Sequence, residues 1–288
     1  MFAQYKKELK SYFCNMTGAV FIALVLILTG VFATAYNFKG RYPMFELALN
    51  QIVFVFFLAV PILTMRSFAE ERSTKTDQLL YSLPLGMPRI VIGKYLAMIT
   101  VNALTVLVMC LYPLILGRYG EVNYLMSYSA LLAYFLLGCA LIAIGMFIST
   151  LTESQVISAV ISCGVFILLY FLPAISDFIP DSASASLICF ILLAVIIGLI
   201  IYQFIKNSTV SITVTVLLSC ACVILYFVKS ELMEGLFPSL LQHLSLFDRL
   251  YTFSSYGIFD VTGIVYYLTA ICLFVYFTVR SMEKRRLS

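Results

Sequence analysis

The chain has 288 residues, of which 62% are hydrophobic and 11% charged, with a mean hydropathy of +1.04 and a formal net charge of +4. A soluble domain of this length carries roughly a quarter charged residues and under half apolar ones. A soluble fold is therefore excluded, lipid must be the solvent for most of this surface, and no nucleic acid partner is expected.

In chain order, residues 1–17 read as an amphipathic interfacial helix. Phe2, Tyr5, Leu9, Tyr12 and Phe13 share one face, and Gln4, Lys7, Glu8 and Ser11 face away. Such a helix lies in the headgroup plane with its lysines near anionic lipid. Apolar runs follow at about 18–36, 49–66, 90–116, 127–151, 155–173, 186–205, 210–228 and 258–280. A bilayer core of about 30 Å needs about 20 apolar residues per helix, so these predict about eight transmembrane helices in an all-α polytopic membrane protein with a single transmembrane domain over 1–288. Ala33-Thr34-Ala35 mimics a signal cleavage site. The segment before the first run is long for a signal peptide, and the run is long enough to span, so the first span is expected to be retained.

Orientation follows from the basic residues beside the spans. With the N-terminus in the cytoplasm, the inner set is Lys6, Lys7, Lys10, Arg66, Arg72, Lys75, Arg89, Lys94, Lys206, Arg280, Lys284, Arg285 and Arg286. The outer set is Lys39, Arg41, Arg118, Lys229 and Arg249. This predicts cytoplasmic N- and C-termini in a cell (plasma or inner) membrane. Tryptophan is absent, so tyrosine and phenylalanine must form the interfacial belts. Seven of the eight cysteines fall inside apolar runs and read as small packing residues.

The one substantial cytoplasmic connection spans residues 67–89. Thr76 is placed to cap a helix with Asp77 in its positive first turn. Leu79, Leu80 and Leu83 form an apolar face, and Pro84 with Gly86 ends the helix. That face needs a cover, which spacing alone leaves open between a protein partner and the bilayer surface. Glu70, Glu71 and Arg72 sit at the membrane border, where ion pairs can fix the loop's angle.

The run PILTMRSFAEERSTKTDQLLYSLPLGMPRIVIGKYLA closely resembles the second-to-third-span region of ABC type-2 permeases, nearest the gliding-motility and NosY-like branch. The likeness continues through LGCALIAIGMFISTLTESQVISAV and resumes in LSLFDRLYTFSSYGIFDVTGIVYYL and the basic tail. The resemblance implies that the loop carries a coupling helix seated in a separate ABC ATPase, with Glu70, Glu71, Arg72, Thr76, Asp77, Leu79, Leu80 and Pro84 in that role. It implies also that ATP and Mg are bound by that partner and that a second permease copy or a homologue completes the pathway. Two departures stand out. Lys75-Thr76 replaces the usual Gly-Thr, with Gln78 where an acid is usual, and the pair of helices at 186–228 looks inserted into a six-span pattern. Residues 229–257 resemble the extracytoplasmic re-entrant segment before the family's last span.

Other chemistries are missing. A P-loop needs G-x-x-x-x-G-K-[ST]; Gly93-Lys94 is followed by Tyr95, and Pro88 stands where the first glycine belongs. The single histidine, His243, reads as interfacial, and no ionisable residue lies near the middle of a predicted span. That weighs against proton coupling and intramembrane catalysis. What remains inside is mild polarity, with Asn50, Gln51, Asn102 and Ser158 as pathway candidates that could equally bond between helices. The reading is an export permease for an amphipathic or hydrophobic substrate. A mechanical or sensing ABC subunit and an ATP-independent scramblase or channel are the alternatives.

Overall fold

A computed structural model describes residues 2–40, 42–76, 86–205, 208–228, 233–256 and 261–287. Among them every regular element is a helix. Lipid offers no hydrogen bonds to the backbone, and a helix satisfies its own. The protein is an all-α polytopic membrane protein, and its chain divides into two compact units, Met1–Leu168 with Arg249–Ser288, and Leu169–Asp248.

The first unit begins with α1 (Phe2–Cys14), followed by α2 (Thr17–Phe32), which continues as a π-helical stretch over Ala33–Lys39. The second span is a broken rod, α3 (Phe45–Ile52), a 3-10 turn over Val53–Val55, and α4 (Phe56–Thr64), with α5 (Ala69–Ser73) leading into the connecting loop. Then come α6 (Met87–Met109), α7 (Leu111–Leu116), α8 (Tyr124–Leu151) and α9 (Gln155–Phe178), whose residues from 169 onward belong to the second unit. The first unit closes with α14 (Val261–Leu287). Helix α8 is its hub: α4, α6 and α14 all pack on it, and most of its length is buried. The Asn123 side chain opens α8 by accepting from the Met126 amide at 3.3 Å.

Among the described residues six helical stretches are long and apolar enough to cross a membrane: Thr17–Lys39, Phe45–Ser73, Met87–Leu116, Tyr124–Leu151, Gln155–Phe178 and Val261–Arg286. The other two predicted spans are helices α10 (Ala183–Ile205) and α11 (Ser208–Val228), in which shorter apolar stretches, Ala183–Gly198 and Ser211–Phe227, are found. The second span starts earlier than its apolar run because Glu46 is taken inside. Only 2% exposed, it sits in the first turn of α3, where the helix dipole favours a carboxylate. Its Oε2 accepts the Ser127 hydroxyl at 3.0 Å.

In the second unit α10 and α11 form a close hairpin. Thr215 lies against Gly198, and the Ser211 hydroxyl donates to the Gly198 carbonyl at 2.6 Å. Helix α12 (Leu236–Leu244) covers one end of this unit, where Phe237 and Leu241 join Leu172 in a small core and Phe237 meets Phe190 edge-on at 5.1 Å. Gly235 begins that helix with φ +65°, and its amide donates to the Asp181 carbonyl at 2.9 Å. The described part of the 229–257 segment is thus helical, in α12 and α13 (Asp248–Tyr256).

Close approach inside the first unit depends on small residues. A β-carbon added at Gly145 would stand 2.5 Å from the Thr64 hydroxyl, whereas one at Gly164 would meet nothing within 4 Å. Gly145→Ala is expected to cost about 1–3 kcal/mol through overpacking. Gly164→Ala should be neutral or stabilising, because glycine in a helix interior costs about 0.5–1 kcal/mol relative to alanine. Thermal unfolding midpoints of the two variants in detergent check this contrast.

Candidate functional site

The strongest concentration of charge lies where α1, α5 and the start of α6 converge. Lys94 is seven residues into α6 and only 2% exposed. An ammonium has three protons and accepts nothing, and all three find partners here. The Nζ atom donates to Glu71 Oε1 at 2.7 Å and to the Ser67 carbonyl at 2.6 Å, and it pairs with Glu8 Oε1 at 3.3 Å. The Phe68 ring lies 4.9 Å from the same nitrogen. Gln4 Nε2 donates to Glu8 Oε1 at 2.8 Å and holds that carboxylate in place. Desolvating an ion costs several kcal/mol, recovered only with full hydrogen bonding and close countercharge. This cluster meets both conditions.

Two carboxylates share one ammonium, so the cluster carries excess negative charge. The buried Tyr12 phenol beside it reflects this. Burial first, and then the charges of Glu8, Glu71 and Glu70, push its ionisation above the ordinary phenol range, and it stays neutral.

The cluster corrects two expectations. Glu8, predicted on the outward face of α1, points inward with Tyr5, Leu9 and Tyr12, while Phe13 is 44% exposed. Helix α1 packs along α6, with the Tyr5 hydroxyl 3.0 Å from that of Thr100. A carboxylate among apolar neighbours reads as outward-facing unless its countercharge is known, and that countercharge lies 86 positions away. Lys94, counted only as an inner-side charge, is the organising residue. Its signal in the sequence was a lone lysine inside the apolar run RIVIGKYLAMITV.

Of the predicted coupling residues, Glu71 is in the cluster. Arg72 Nη1 donates to the Thr152 carbonyl at 2.9 Å, tying the loop to the end of α8. The Glu70 carboxylate is partly exposed and makes no ion pair among the described residues. Lys75 adopts φ +57°, the left-handed conformation in which glycine is at ease, which gives a backbone reason for glycine at this point of the resembled family. The Thr76 hydroxyl turns back to the Glu71 carbonyl at 3.2 Å and closes α5. Asp77, Leu79, Leu80 and Pro84 lie outside the described residues.

The pathway candidates separate. Asn102, 1% exposed, reaches across to α8, with Nδ2 donating to the Phe135 carbonyl at 3.2 Å beside Gly138; within this chain it is an interhelical contact. Gln51 faces outward from the protomer. Among the described residues the buried Asn50 Oδ1 and the Ser158 hydroxyl on α9 have no hydrogen-bond partner. By contrast, Thr64, Thr100 and Thr105 each donate to the carbonyl four residues back in their own helix.

Residues 42–184 match the family model described as ABC-2 family transporter protein. The match supports an ABC-2-type permease. It covers a little under half of the chain, contains the second to fifth spans and their connecting loop, and stops where α10 begins, so the helix pair at 186–228 lies outside it. No curated protein matches the chain.

Lys94→Met would leave Glu8 and Glu71 buried together without countercharge, and removing one partner of a buried pair costs about 3–5 kcal/mol. A large fall in the thermal unfolding midpoint is expected, with most of it recovered when Glu8→Gln and Glu71→Gln are added. No recovery in the triple variant would refute the electrostatic account.

Proposed function

We propose that this chain is the permease subunit of an ATP-binding cassette transporter. It carries an amphipathic or hydrophobic substrate outward while a separate subunit binds ATP and Mg and hydrolyses the nucleotide. The observation that carries this reading is the fastening of the loop after the second span. Glu71 ties α5 to α6 and α1 through Lys94, and Arg72 ties it to α8. A subunit that grips residues 67–89 from the cytoplasm would move α1, the second span and the third together, which suits a loop that receives force. The family match across this loop and the gliding-motility and NosY-like resemblance of its sequence support the same assignment.

In this reading both termini face the cytoplasm in a cell membrane, and α1 rests at the lipid headgroups with Lys6, Lys7 and Lys10 exposed. A second copy or a homologue completes the pathway. Asn50 and Ser158, with unspent hydrogen-bonding capacity, and the outward-facing Gln51 contribute to its wall. The Glu70 carboxylate, which makes no ion pair among the described residues, is offered to the ATPase. The spans present aromatic and aliphatic surface, which suits lipid-linked molecules, peptides and hydrophobic drugs better than ions.

The test is to purify the chain from membranes with the ATPases encoded beside it. A stable complex is expected, and the isolated chain should not hydrolyse ATP. Glu71→Ala with Arg72→Ala should leave membrane insertion intact, because Lys94 still has Glu8 and the Ser67 carbonyl. The double variant should weaken the coupling of hydrolysis to transport several-fold. A normal coupling ratio in the double variant would remove the loop assignment, and hydrolysis by the chain alone would remove the whole reading.

A further inference from the structure

Helix α5 starts at Phe68, which provides no side-chain cap for the free amides of the first turn. The cap comes instead from the far end of α8. Ser149 Oγ accepts from the Phe68 amide at 3.2 Å and from the Ala69 amide at 3.1 Å, and its hydroxyl faces the Met65 carbonyl at 3.3 Å. Ser149 is fully buried, and no other acceptor serves these two amides among the described residues. One residue on, the Thr150 hydroxyl meets that of Ser281 on α14 at 3.2 Å. A single turn of α8 therefore holds the start of the loop on one side and the last span on the other.

The same pairing runs the length of both helices. Glu46 bonds Ser127, Phe56 stacks on Tyr134 with ring centroids 4.4 Å apart, Thr64 lies against Gly145, and Phe68 meets Ser149. Positions rise together on the two spans, so the second and fourth spans form a parallel pair held at both ends and in the middle. Packed interfaces of this kind shift between discrete arrangements and do not bend continuously.

We propose that the second span and α8 move as one rigid body when nucleotide acts on the loop, and that Ser149 is the positioning residue fastening the loop to that body. The proposal rests on the loop being the ATPase's docking site. Movement applied at α5 then reaches the opposite end of α8, about 36 Å away at 1.5 Å per residue, through the Ser149 hydroxyl and the Arg72–Thr152 bond. A hydroxyl suits this place: it accepts two amides and donates to a carbonyl within one small volume, where alanine would leave both amides unpaired.

The experiment uses the chain in lipid nanodiscs, first alone and then with its ATPase. Alone, the Phe68 and Ala69 amides should exchange hydrogen slowly in the wild type and in Ser149→Thr, and about tenfold faster in Ser149→Ala, given about 1–3 kcal/mol for an unsatisfied buried group. In the complex, those amides should stay protected with ADP, with ATP and with vanadate-trapped nucleotide. A spin label at Leu125, exposed in the first turn of α8, should change its spectrum with nucleotide in the wild type and in Ser149→Thr. In Ser149→Ala that response should be reduced while ATP hydrolysis and subunit association hold. Protection lost on ATP binding in the wild type overturns the rigid pair, and a full label response in Ser149→Ala overturns the fastening role of Ser149. Failure of any ATPase to bind is seen before the label is read; it overturns the docking reading and this proposal with it.

Discussion

In hydrocarbon a polar group without a partner costs several kcal/mol, and lipid supplies no partners. Most polar side chains buried among the described residues are spent accordingly. Thr29, Thr64 and Thr105 donate back to their own helices. Asn102 reaches a carbonyl on α8, Glu46 takes a hydroxyl from Ser127, and the Lys94 ammonium uses all three protons. The groups left over form a short set that includes Asn37 and Asn50 Oδ1 and the hydroxyls of Ser158 and Ser162.

The same constraint explains the ties made by the start of the connecting loop, residues 67–76. Its start follows directly on a span, where α5 would expose free amides and Glu71 a charge. Both are answered by other helices: the amides by Ser149 on α8, the carboxylate by Lys94 on α6. Satisfying local polarity thus creates long-range mechanical ties across about 80 residues of chain. The start of the loop is in this way tied to α1, α6 and α8 at once.

The ties also show how an ion can be kept inside a membrane protein when every one of its protons is paired. Lys94 sits nearer the end than the middle of its span, and its neighbours Glu8 and Glu71 come from segments flanking that region. Replacing such a cluster by apolar residues often leaves stability unchanged or raises it, while breaking it by one residue is costly. Its retention therefore fits a demand for a defined arrangement of helices more than a demand for stability.

By itself the amino-acid sequence determined the solvent and the elements. Apolar run lengths set by bilayer thickness located the six long apolar helices found among the described residues, and marked as spans two further helices whose apolar stretches are shorter, because the signal is local and contiguous. Boundaries shifted where a polar residue was taken inside, as at Glu46. Only the tertiary structure decided which polar residues act together. Glu8 and Lys94 are 86 positions apart, and Ser149 lies 80 from the amide it caps; neither periodicity nor composition carries such pairings. Asn102 and Ser158 look alike in sequence as isolated polar residues in spans, yet one is committed to a carbonyl across the interface and the other is not. The difference is a matter of which helix faces which, and that is settled by packing of side chains distant in the chain.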